Sequence, residues 1–120
     1  MADLIPLARA AIIAHDRLFP GQATKDAKAL DMVALALSTL IPIYRRDERT
    51  EAVERLSDAE VAAGRFTRGA TRLEFRGRPP LRSLMVSREE LPGALEALLR
   101  DSLAAGRLRA ISPRASAPRR

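Results

Sequence analysis

Apolar residues at Leu4, Ala8, Ala11, Ile12 and Leu18 fall on one stripe of a helix. With Ile5 and Phe19 widening the stripe, they predict an amphipathic helix from Asp3 to Phe19 that stops before Pro20-Gly21. Asp3 is the expected N-cap, which puts Pro6 in the first turn, where a missing N–H breaks no intrahelical bond. A second helix, capped by Thr24 or Asp26, carries the stripe Leu30, Val33, Ala34, Leu37, Leu40, Ile41 and Tyr44. A further apolar set, Met32, Leu35, Ala36 and Ile43, makes this helix apolar around most of its circumference. One flanking layer cannot cover such a surface, so the helix is either central or the site of dimerisation. Pro42 should kink or end it.

The pattern then loosens. Residues 45–56 mix both charges with few apolar anchors and predict a solvated connector or short surface helix. Ser57 followed by Glu60 is a capping-box pattern for a short helix anchored by Val61 and Ala62 and ended by Gly64. From Thr71 to Arg76 polar and apolar residues alternate, Gly77-Arg78-Pro79-Pro80 breaks the chain, and Leu81 to Val86 follows. This reads as a β-hairpin over about 71–86, with Leu73 and Phe75 toward the helices and Arg72, Glu74 and Arg76 on the opposite face. Ser87 and Glu90 repeat the capping pattern, with Pro92 delaying the regular helix. A last helix through Leu95, Leu98, Leu99 and Leu103 is expected to stop near Gly106.

The elements predict an α+β fold that is mainly helical, with two N-terminal helices, one C-terminal helix and a short antiparallel hairpin. The expected domain covers residues 1–106, and the proline- and arginine-bearing stretch 107–120, with little to bury, reads as a disordered basic tail. A chain of 120 residues is long enough to bury a core as one domain. Aromatic residues are only 3% of it, so the core must be aliphatic. There is no cysteine, hence no disulfide or thiolate metal site, and a reducing, cytoplasmic compartment is the simplest expectation. The start of the chain lacks the basic and continuously apolar pattern of a secretory signal. The most apolar window, residues 29–43, falls short of the roughly 20 residues a membrane helix needs.

Charge changes the picture most. The net charge is +6, and the stretch from Arg65 to Arg88 carries that much by itself, with seven arginines against Glu74. Residues 1–43 are neutral, while 44–64 and 89–106 are acidic on balance. Arginine preference alone explains why only Lys25 and Lys28 among 21 basic residues are lysine, but it does not explain the clustering. Arg65, Arg68, Arg72, Arg76, Arg78 and Arg82 are therefore the candidate partner-binding residues, with Arg88 at the end of the run.

Candidate chemistry adds little. His15 is the single histidine, on an apolar helix face with no local nucleophile motif, and reads as a core-edge residue. One histidine and no cysteine do not make the usual zinc set. The adjacent acids Asp47-Glu48 and Glu89-Glu90 diverge by about 100° on a helix, so neither pair shares a face for acid–base work. No phosphate-loop pattern occurs, and Gly64 and Gly69 read as turn residues. No enzyme activity and no cofactor are expected. The expectation is an interaction module, an accessory subunit, adaptor or small regulator, that docks an acidic protein partner or sister subunit through the arginine-rich hairpin and is itself a homodimer. The alternative is a nucleic-acid-binding regulator using the same residues and the tail, with Phe66 or Phe75 available for base stacking.

Overall fold

A computed structural model describes residues 3–21 and 26–111, with side chains as far as Asp101. The mixed α+β class holds, but the single hairpin understates the sheet content. Among the described residues there are four helices and seven strands, and the strands form two antiparallel sheets.

The chain opens as a strand, β1 (Leu4–Pro6), and not as the first turn of a helix. Ile5 precedes a proline, whose ring disfavours helical backbone at the residue before it. Pro6 itself, at φ −58° and ψ 139°, is the residue from which α1 (Leu7–Leu18) starts, which displaces Asp3 from the expected cap. The buried face is offset from the expected stripe. Leu7, Ala10, Ala11, Ala14 and His15 are buried, while Ile12 of the expected stripe is exposed together with Ile13.

Helix α2 (Ala27–Ser38) follows its predicted register, burying Leu30, Val33, Ala34 and Leu37. Asp26 is its cap, the carboxylate accepting the Ala29 N–H at 2.8 Å; Thr24 lies outside the described residues. The helix ends before Pro42 as the hydroxyls of Ser38 and Thr39 donate back to the carbonyls of Leu35 and Ala36. Tyr44, expected on that helix, instead begins β2 (Tyr44–Arg46), which turns through residues 47–52 into β3 (Val53–Arg55). The expected connector or surface helix over 45–56 is thus a hairpin.

Helix α3 (Asp58–Ala63) has the predicted capping: Ser57 Oγ accepts the Glu60 N–H at 3.1 Å, and Gly64 closes the helix. Strands β4 (Arg65–Thr67), β5 (Arg72–Phe75) and β6 (Arg78–Leu81) follow as a meander. Here the predicted 71–86 hairpin is corrected. The partner of β5 is β6, which contains the prolines assigned to the break. Gly77, at φ 76°, makes the turn tight enough to start the return strand at Arg78. Pro79 and Pro80 are tolerated because β6 is an edge strand whose register with β5 is irregular between Leu73 and Phe75. The residues expected to close the hairpin form β7 (Leu84–Ser87), which enters the other sheet between β1 and β2, giving the order β1-β7-β2-β3.

Helix α4 (Leu91–Ile111) has Pro92 at its second position, and its backbone continues through Gly106, where a stop was expected. Residues 112–120 of the expected tail lie outside the described residues. Leu91, Ala94 and Leu95 join one core cluster with Leu7, Leu37, Ile43, Leu73 and Val86, so helices and both sheets share it. No helix among the described residues is long and apolar enough to cross a membrane.

Candidate functional site

The arginine run does not form one face. Strand pairing sets Arg65 opposite Glu74 and Thr67 opposite Arg72, so these four share the face turned away from Phe66 and Leu73. Arg72 is half-buried there, and Thr67 Oγ1 donates to Glu74 at 3.0 Å. Arg78, however, is in register with Phe75 and lies on that residue's face. Its guanidinium carbon sits 4.0 Å from the Phe75 ring centroid, and its NH2 is 2.7 Å from Glu60 Oε2 on α3. Arg76 is in the β5–β6 turn, Arg68 in the β4–β5 turn at φ 58°, and Arg88 pairs with Asp3 at 3.4 Å.

Two separate clefts result. One, of about 560 Å³, is lined by Arg65, Arg76 and Arg78 with Gly64, Glu74 and Phe75. The other, of about 350 Å³, draws Arg82 and Pro79-Pro80 together with Arg45, Arg46, Asp47, Glu48 and Arg49 of the β2–β3 hairpin. Arg68 and Arg72 line neither.

The second cleft is built by backbone. The Arg46 N–H donates to the Ser83 carbonyl at 3.1 Å, which holds the link after β6 against β2 and brings Arg82 beside Arg46. Ser83 Oγ reaches Glu48 Oε2 at 3.4 Å. Asp47 organises the turn: its Oδ1 accepts the N–H groups of Arg49 at 2.8 Å and Thr50 at 3.2 Å. These bonds, with a smaller contribution from the Arg45 charge 3.3 Å away, hold its carboxyl below the ordinary aspartate value. Arg45 also lies 3.1 Å from Glu54, so its charge is met from two sides. Arg46, Arg49 and Arg82 have no ion pair among the described residues, which leaves three exposed guanidinium groups around one recess.

Sequence reasoning missed Arg45, Arg46 and Arg49 because their block is acidic on balance. The available signal was an Asx turn: an aspartate whose side chain can cap the amides two and three residues on, between two short runs able to pair. No family model, curated protein or solved structure matches the chain.

His15 is buried on α1, its ring 5.1 Å from that of Phe19 and its Nδ1 without a hydrogen-bond partner. Among the described residues no group of three or more His, Asp or Glu side chains could hold a metal ion. Phe66 is buried, and Arg78 occupies a face of the half-buried Phe75.

Proposed function

We propose that this chain is a non-enzymatic docking module, an adaptor or accessory subunit of the cytoplasm, whose arginines receive an acidic segment of a partner protein. The observation that carries this reading is the recess in which Arg46, Arg49 and Arg82 stand unpaired around the apolar Pro79-Pro80. Guanidinium forks bind carboxylates bidentately, and arginine is enriched where proteins meet. Arg65, Arg76 and Arg78 of the other cleft extend the same chemistry, with Arg78 half-committed to Glu60.

Protein is favoured over nucleic acid by the signs around the recess. Asp47 and Glu48 stand among its arginines, and a phosphodiester backbone, uniformly negative, would meet them as well. A protein segment of mixed sign can place cations beside those carboxylates. The burial of Phe66 and the stacking of Arg78 on Phe75 also take away the rings a single strand would use.

The test is fluorescence anisotropy with a labelled peptide of repeated Glu-Glu-Leu-Lys, acidic on balance with cations interspersed, and, separately, a labelled mixed-sequence DNA duplex, each at two salt concentrations. The proposal expects the peptide to bind and the Arg46→Ser/Arg49→Ser/Arg82→Ser variant to lose it by tenfold or more, with unchanged circular dichroism. Duplex binding that is tighter and falls steeply with salt would replace it with the nucleic-acid reading. Peptide binding that survives the triple substitution would remove the cleft from the mechanism.

A further inference from the structure

Helix α2 leaves an apolar stripe uncovered on the side its core residues do not use. Met32 is 70% exposed and Leu35 58%, the two most exposed large apolar side chains among the described residues. Lys28, Met32, Leu35 and Thr39 follow one another at intervals of four, three and four, the spacing that keeps a seam on one side of a helix. Grooves flank Leu35 on both sides. Toward the start of the helix the groove is lined by Lys28, Asp31, Leu35 and Phe66; toward its end, by Leu35, Thr39, Asp58 and Val61.

We infer that this stripe is an isologous dimer interface, occupied by the α2 helix of a second copy running antiparallel. The stripe is self-complementary. The centre of the seam falls between Met32 and Leu35, so a two-fold axis there sets Met32 of each copy against Leu35 of the other and Lys28 against Thr39. Thr39 shares its groove with Asp58, so Lys28 of one copy meets Asp58 of the other. Both charges are available for this. Lys28 has no ion pair among the described residues, and Asp58, 96% exposed, is only 4.0 Å from Arg55 at its nearest. A parallel arrangement would oppose lysine to lysine. The dimer does not involve the recess of Arg46, Arg49 and Arg82, whereas the groove beside Lys28 shares Gly64 and Arg65 with the other arginine cleft.

The experiment is sedimentation equilibrium of the full chain across micromolar to high micromolar concentrations. Wild type should reach twice the 13.1 kDa monomer mass, and Leu35→Glu should remain monomeric while keeping its circular dichroism. Lys28→Glu and Asp58→Lys should each weaken association by several fold, and the Lys28→Glu/Asp58→Lys double variant should regain most of the loss. That recovery separates paired charges from damage to the helix. A wild-type monomer at high micromolar concentration assigns the stripe to some other occupant and overturns the inference. So does a dimer that survives Leu35→Glu, or a double variant no better than the weaker single one.

Discussion

The Oδ1 of Asp31, on α2, accepts the backbone N–H of Ala70 at 2.7 Å, joining residues 39 positions apart. Arg68, Gly69 and Ala70 all have φ between 58° and 69°, a left-handed turn that only glycine adopts without cost. Ala70 is also buried, and Gly69 packs over Ala27 and Leu30. Asp31 thus fixes the strained end of the β4–β5 hairpin to the helix. Asp31→Ala should lower stability by about 1–3 kcal/mol, the penalty of leaving a buried amide unpaired, and Asp31→Asn should lose less because it keeps an acceptor. Urea unfolding of both variants checks the order.

Gly64 is required by space. A Cβ there would lie 2.7 Å from Leu73 Cδ1 and 2.9 Å from Phe75 Cε1, on side chains packed in or against the core. Gly64→Ala should therefore destabilise by roughly 1–3 kcal/mol through overpacking, although the extended backbone of Gly64, at φ −103°, is one that alanine adopts freely. Pairing it with Leu73→Val should recover part of the loss in thermal denaturation.

Asp47 gives a pH signature. Its carboxyl is held below the ordinary value of 3.8, so the contribution of the turn is present above that value and is lost as pH falls through the lower folded value. The amide resonances of Arg49 and Thr50 should keep their hydrogen-bonded positions at pH 4 and lose them only in more acid solution. Asp47→Ala should abolish that transition and weaken acidic-peptide binding, since the turn presents Arg46 and Arg49.

Arg78 and Arg82 should separate cleanly. Arg78→Ala removes the contact with Phe75 and the partly exposed pair with Glu60, and should cost about 0.5–1.5 kcal/mol in chemical denaturation. Arg82→Ala, exposed and unpaired, should change stability by less than about 0.5 kcal/mol. Its effect should appear in anisotropy, as weaker peptide binding.

How far these features could be read in advance depended on the range of the forces behind them. The α2 core stripe and the caps at Asp26 and Ser57 are local, set by periodicity and by a side chain three residues from its amide, and they stand where the pattern put them. The pairing of Met85, Val86 and Ser87 with Pro6, Ile5 and Leu4 joins strands about 80 residues apart in the chain, and no short window contains it. Arginines in the 65–88 run were visible as charge, yet their division between two clefts follows from the Gly77 turn and the irregular pairing beside Pro79-Pro80. Arg46 and Arg49 were masked by the acids around them, although those acids are largely occupied with the backbone, Arg45 and Ser83.

The prolines of β6 bear on how this surface can change. At Pro79 and Pro80 the outer strand of its sheet has no amide hydrogen to offer, so an incoming chain cannot zip onto that edge as another strand. Whatever settles beside it must be read by side chains. Recognition that depends on the tips of exposed arginines can be retuned one substitution at a time, with the backbone left as it is, and the same edge is closed to the runaway strand addition that leads to fibres.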